Sequence, residues 1–409
     1  MIAIKVFTRA ILFCLVVLSS QVFAGPDSVS SKTFKELTDI QEIMGQGQAE
    51  EAYTRLQTLL GEVEEETLDQ ALTLQTLGYV EMAREKFPEA IGYLKRSLSL
   101  NKLPQNVVYN IGYMVAQLHA ALGEFDEALS FAEEWFKQLE EPKPAQMIFM
   151  ANIYAQTKQY AKSIPYAERA VASVETPKES WLQLLTANYF ELKNFKKAAE
   201  TLETMLDFWP EKAAYWEQLA SVYVVLEQEK NALATLKVAF LDGILEKENT
   251  VKSLVQLSVA RGVPEQAARL LVKAMDQELL PKTEEYLKML AVAYSAARER
   301  EKAIDAYEQL AAISESGDSW ISISNIYVEM GEWKAAEDSL KSALEKDLDE
   351  PGKAWLLLGI AQAEQARYAS AKASLKKARA FSETEKAAAR WLKYADDMKR
   401  QADWVAQFR

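Results

Sequence analysis

The chain is almost without cysteine and histidine. Its 409 residues hold one of each, Cys14 and His119. Cys14 lies inside the apolar run 10–18, so removal of the first 24 residues leaves no cysteine. Disulfides and thiolate zinc sites are then excluded, and packing alone must hold the fold. His119 has no Gly-x-Ser-x-Gly nucleophile elbow to serve, because the sequence contains none. Basic residues are in deficit, 47 Lys and Arg against 60 Asp and Glu, a net charge of −13. This argues against nucleic acid as a partner, since phosphate backbones are bound through Lys and Arg. No apolar run after residue 24 is long enough to span a membrane.

What is present is ordinary for a folded protein. Hydrophobic residues make up 49% and charged residues 26%, and aromatics are plentiful enough to exclude overall disorder. Lys5 and Arg9 are the only charges among residues 1–24. They precede the apolar run, and Val22-Phe23-Ala24 closes it with small or short residues. The pattern predicts a secretory signal peptide cleaved after Ala24. Its apolar core, about ten residues, is too short for a membrane anchor, which needs roughly 20. Residues 25–32, GPDSVSSK, are expected to be a flexible leader.

One line then recurs along the chain. A small residue is followed by an aromatic three residues on, a turn, a second aromatic, an Ala, a Leu and another small residue. Residues 324–343 give Ser324, Tyr327, Gly331, Trp333, Ala336, Leu340 and Ala343. Thr186, Tyr189, Phe195, Ala198, Leu202 and Met205 repeat it, as do Ala220, Tyr223, Ala232, Leu236 and Ala239. The central small residue is Ala52, Ala90, Ala128, Ser163, Ala198, Ala232, Ala267, Ala303, Ala336 and Ala371, in steps of 33 to 38. Pro104, Pro142, Pro177, Pro210, Pro281 and Pro351 fall near the ends of units, where a helix should stop. Each unit reads as two short amphipathic helices that approach closely through small residues. A single unit cannot bury its own apolar face, so stacking supplies the core.

On these residues the chain resembles the tetratricopeptide repeat family across residues 33–385, as ten units. The first is degenerate, with Ile40 at a small-residue position and Ala49 at an aromatic one. Ser382-Glu383-Thr384-Glu385 reads as a capping box opening a final helix over 383–409. Its stripe Trp391, Tyr394, Met398, Ala402 and Val405 is expected to cover the last unit. The resemblance implies an all-α, right-handed α-solenoid whose first helices line a concave groove that binds a peptide or protein segment. By register with the family, the groove positions include Gln75, Tyr79, Tyr113, Gln117, Asn152, Gln183, Gln256, Asn325 and Glu329. The family's carboxylate-clamp pattern is absent: Lys252 and Lys288 occupy comparable positions, but the accompanying Asn and Lys do not follow.

Departures from the pattern are informative. The aromatic before the central residue becomes Glu229, Pro264 and Arg300 in three consecutive units, which predicts a looser array across 225–305. Trp135 stands where a small residue normally seats the second helix. It either fills a wider junction or forms an exposed aromatic ledge for a partner. His119 reads as a packing residue. Gly45-Gln46-Gly47 reads as the turn of the first unit, since a phosphate loop needs a longer spacing and a following Lys. Glu62, Glu64, Glu65, Glu66 and Asp69 lack the order of a calcium loop and read as a solvated connector. Residues 140–144 read as a linker. Lys334, Glu337 and Asp338 are expected to be solvated.

These readings converge on a non-enzymatic scaffold with no catalytic residue, no metal and no cofactor. The expected partner is an envelope protein or peptide of basic character, met in the periplasm, and no oligomeric state is implied. In layout and size the chain resembles the secreted repeat proteins that accompany TonB–ExbB–ExbD energy-transducing systems. The alternatives are a carbohydrate-active or peptidoglycan-binding envelope protein, whose paired carboxylates the acidic composition would allow, or a pilus or outer-membrane assembly factor.

Overall fold

Apolar residues recurring every three or four positions make amphipathic helices, and the computed structural model, which describes residues 28–406, is built from them. Among the described residues there are 21 helices and no strand. Ten successive pairs run α1 (Ser31–Gly45) with α2 (Ala49–Glu62), α3 (Leu68–Ala83) with α4 (Phe87–Ser99), and α5 (Gln105–Leu122) with α6 (Phe125–Phe136). Next come α7 (Pro144–Gln156) with α8 (Tyr160–Ala172), α9 (Glu179–Glu191) with α10 (Phe195–Phe208), and α11 (Ala213–Val225) with α12 (Glu229–Leu241). The last four are α13 (Glu248–Ala260) with α14 (Pro264–Asp276), α15 (Glu284–Ala296) with α16 (Arg300–Ile313), α17 (Asp318–Met330) with α18 (Trp333–Leu344), and α19 (Pro351–Glu364) with α20 (Tyr368–Ala378). A single helix, α21 (Glu385–Ala406), follows. The chain is an all-α helical-repeat solenoid, and it divides into two compact units between Met205 and Leu206.

One turn closes all ten pairs. The residue five before each central small residue has a positive φ: Gly47, Glu85, Gly123, Lys158, Lys193, Glu227, Gly262, Arg298, Gly331 and Ala366. The next residue's N–H then donates back to a carbonyl near the end of the first helix, as in Asn194 to Tyr189 at 2.8 Å and Glu332 to Tyr327 at 2.9 Å. This is the Schellman arrangement, which satisfies carbonyls that the helix end leaves without partners. Glycine adopts the conformation freely; six of the ten positions hold a side chain that does so at a cost.

The ten central small residues are all fully buried. Small residues on the first helices meet the second helices as closely: a Cβ added at Gly78 would lie 2.5 Å from the Leu94 side chain, and one at Gly359 2.5 Å from that of Leu375. Where the seat is Ser163, its hydroxyl donates to the Ala151 carbonyl at 2.6 Å and accepts from Asn188 at 2.8 Å. The expected prolines do fall between pairs, but several serve the helix that follows. Pro104 immediately precedes α5, and Pro351 is the first residue of α19. Proline is tolerated there because the first N–H groups of a helix have no intrahelical partner.

Several expectations are corrected. The signal segment lies outside the described residues, but the helical array starts at Ser31, inside the expected leader. Ser30 caps α1 by accepting from the Thr33 N–H at 3.2 Å, and its own N–H donates to Asp69 at 3.0 Å. Asp69 therefore belongs to a junction rather than to a solvated connector. Helix α21 begins at Glu385, two residues later than a box capped by Ser382 would start it. Residues 381–384 form turns, and the Thr384 hydroxyl donates to the Ala378 carbonyl at 2.6 Å. The seated face of α21 centres on the buried Ala388 and Ala395, while Tyr394, Ala402 and Val405 are exposed. Trp391 and Met398 are half-buried on that same face, so the stripe read from sequence overlaps the contact only in part.

Trp135 fills a junction and offers no ledge. It is 4% exposed and stacks on Tyr113 with ring centroids 3.9 Å apart and planes at 12°. Phe149 meets the Tyr113 ring edge-on at 5.1 Å. Across 225–305, where the sequence predicts a looser array, the pairs still share a common core. One buried cluster runs without a break from Ala220 to Leu310, anchored by the fully buried Phe240. The aromatics at the position of Glu229, Pro264 and Arg300 are only half-buried in the other units, so their loss removes little core.

Candidate functional site

In the first unit, the inferred groove positions separate into two kinds. Gln75, Tyr79, Tyr113 and Gln117 are half-buried and engaged with one another. Gln75 donates to the Tyr79 hydroxyl at 2.8 Å, and Gln117 hydrogen-bonds Tyr113. Burial pushes the Tyr113 hydroxyl above the usual tyrosine range. With its ring stacked on Trp135, Tyr113 is a packing residue. Asn152 and Gln183 are exposed; Asn152 donates to the Ile148 carbonyl at 2.9 Å. In the second unit Gln256, Asn325 and Glu329 are all exposed, with Glu329 facing Arg300 at 3.9 Å.

The position three residues after the first helix's small residue carries several buried polar groups. Tyr154 and Tyr189 occupy it in successive units and donate to Glu133 at 2.7 Å and Glu168 at 2.6 Å on the preceding pair. Burial, then the facing carboxylate, drives both hydroxyls far above their ordinary range. In the second, third and tenth pairs a buried polar residue stands there instead. Glu81 is held by both Arg84 contacts at 2.8 Å. His119 pairs its Nδ1 with Glu124 at 2.6 Å, stacked near Phe131. Gln362 donates to Glu337 at 3.3 Å and accepts from Ser374 at 2.9 Å.

Glu337 corrects the expectation that it is solvated: it is fully buried. Burial alone would raise its carboxyl, but hydrogen bonds from Lys341, Arg367, Gln362 and Gln365 outweigh it and hold the group at about 2. Lys341 lies 2.9 Å away and Gln365 3.0 Å, and Arg367 contacts the second oxygen. This cluster joins the ninth and tenth pairs. Lys334 and Asp338 are exposed and paired at 2.7 Å, as expected of surface charges.

The second unit holds a cleft of about 780 Å³. Three successive first helices supply its walls: Glu284, Glu285 and Lys288 from α15, Asp318, Ser322 and Asn325 from α17, and Lys353 at the start of α19 with Asp349 and Glu350 just before it. Tyr307, Leu310 and Ile321 add an apolar floor. Of the nine residues inferred from sequence, Asn325 alone lines this cleft. The acidic residues were missed because carboxylates in a helix's first turn look like ordinary dipole partners.

The connector before α17 fixes the cleft. Gly317 donates to the Asp347 carbonyl at 2.8 Å and lies so close to α18 that an added Cβ would meet the Ala343 carbonyl at 2.5 Å. Lys346 reaches across to the Ala311 and Ser314 carbonyls, both at 2.7 Å, and so covers the end of α16. Ser316 donates to Asp318 at 2.8 Å. Glu285 is paired with Lys252 at 2.5 Å and Glu350 with Lys353 at 3.1 Å. Lys252 is thereby engaged, which further weakens any carboxylate clamp. Glu284, Asp318, Asp349 and Lys288 form no ion pair among the described residues. No group of residues with metal-ligand character occurs among the described residues, and no described helix is long and apolar enough to cross a membrane.

Helix pairs of this length, closed by one repeated turn and seated on small residues, are tetratricopeptide repeats, and a tetratricopeptide repeat family model matches residues 322–395. A second model, described as ChAPs (Chs5p-Arf1p-binding proteins), matches residues 99–316, just over half of the chain, and the chain belongs to that family. No curated protein matches the sequence. Among solved structures, a tetratricopeptide repeat protein from Parabacteroides merdae ATCC 43184 is 16% identical, with a TM-score of 0.37, covering 64% of this chain and 99% of that one. YrrB, described as a TPR protein with an unusual peptide-binding site, is 13% identical, with a TM-score of 0.36, covering 44% of this chain and 89% of that one. The Cut9–Hcn1 assembly of the APC/C is 11% identical, with a TM-score of 0.33, covering 90% and 96%. Neither matching family description names an enzyme.

Proposed function

We propose that the protein is a non-enzymatic scaffold of the cell envelope that holds a segment of a partner protein against the first helices of its second unit. The observation that carries this reading is the cleft walled by α15, α17 and α19, an open surface built on well-packed helices that needs little reorganisation to bind. Protein partners are also what the family description names, Chs5p and Arf1p, which supports a protein rather than a glycan as ligand. The N-terminal segment, with its charged start and short apolar run, supports export to the periplasm, where a chain without cysteine after residue 24 cannot form a wrong disulfide. Layout and size support an accessory role beside a TonB-type energy-transducing system.

A photo-crosslinking amino acid placed at Asn325 in the living cell tests the scaffold. A discrete adduct with an envelope protein is expected, recovered from the periplasmic fraction with a chain beginning at Gly25. Turnover of peptidoglycan by the purified protein, or an adduct pattern no different from that of a probe placed at Glu65, overturns it.

A further inference from the structure

The charges of the cleft recur at the spacing of the repeat. Glu284 is the first residue of α15, Asp318 the first of α17, and Asp349 lies just before α19, so each neighbouring pair contributes one carboxylate without an ion pair. Only Lys288 opposes them uncompensated. Between the charges lies an apolar floor at Leu310 and Ile321.

We propose that the occupant of this cleft is an extended basic segment in which lysine or arginine residues are interspersed with apolar side chains. This rests on the scaffold reading above and specifies its ligand. Its cations meet Glu284, Asp318 and Asp349, and the apolar side chains between them lie toward Leu310 and Ile321. Charge complementarity selects such a partner and speeds its encounter, while screening confines the effect to the cleft itself.

The test uses the purified protein and fluorescent peptides of repeated Lys-Leu-Ser, with two comparisons: the same composition with all lysines contiguous, and a Gln-Leu-Ser repeat. The spaced peptide is expected to bind about tenfold or more tightly than either comparison. The E284Q/D349N double variant is expected to erase that preference, while E64Q/E65Q/E66Q, which removes equal or greater charge from the first unit, leaves it intact. Equal binding of the three peptides overturns the proposal, as does equal loss in both variants. So does a self-associated protein that E284Q/D349N converts to monomer, since the occupant would then be a second copy. An adduct at Asn325 combined with indifference to all three peptides overturns this inference and leaves the scaffold standing.

Discussion

Glu337 shows how little a residue's neighbours in sequence reveal of its surroundings. It sits between the surface residues Lys334 and Asp338, yet it is fully buried and ringed by four donors. At the matching position other pairs carry apolar residues, Ile91, Ala268 and Ile304 among them, all buried. A carboxylate survives there because Lys341, Arg367, Gln362 and Gln365 all reach it. Since its folded pKa, about 2, lies below the ordinary 4.5, its contribution is complete above about pH 4.5 and is lost as pH falls through about 2. The Glu337→Gln variant should lose roughly 1–3 kcal/mol near neutral pH, because two cations lose their counter-charge but keep partial solvent access. It should also flatten the acid limb of stability between pH 4.5 and 2. Urea midpoints measured across that range decide it; parallel curves for the two proteins would remove Glu337 from the account.

Helix pairs were the legible scale. The central small residues and the aromatic register gave all ten pairs because a 33 to 38 residue period leaves few other architectures. What escaped was the uniformity of the turn, since only four of its ten left-handed positions are glycine. The other six hold Glu, Lys, Arg or Ala, residues that carry no turn signal by themselves. Their side chains pay a backbone cost that the Schellman hydrogen bond offsets. Gly331→Ala should therefore destabilise by about 1–2 kcal/mol, although nothing lies within 4 Å of the added methyl. Lys193→Gly should be neutral or stabilising by up to about 1 kcal/mol, strain relief being set against unfolded-state entropy. Thermal unfolding of the two variants should move them in opposite directions; a shift of the same sign in both would show that packing, not backbone strain, governs these turns. The end of the array was less legible, because the seated face of α21 centres on Ala388 and Ala395, and its aromatics share it only in part.

Across the molecule, each of the two units has its own buried clusters, and the site belongs to the second. The same stretch that lacks three register aromatics carries an unbroken core from Ala220 to Leu310. Amide hydrogen exchange should accordingly be slowest in α11 to α16 and fastest in the exposed C-terminal turns of α21, with protection spread over the whole cluster. Rapid exchange confined to α13 and α14 would restore the looser array that the sequence suggested. The cleft itself was only partly legible: Asn325 was read by register, while its acidic wall is assembled from three helix starts that sequence places far apart.

The tyrosine–glutamate bonds of the first unit carry one more consequence. Tyr154 reaches Glu133 and Tyr189 reaches Glu168 across the same 21-residue separation. Excising the 35 residues 141–175 would bring Tyr189 to that same separation from Glu133. The seam between neighbours is thus interchangeable, and a gene can shorten or lengthen this part of the array by one whole module without having to invent a new joint.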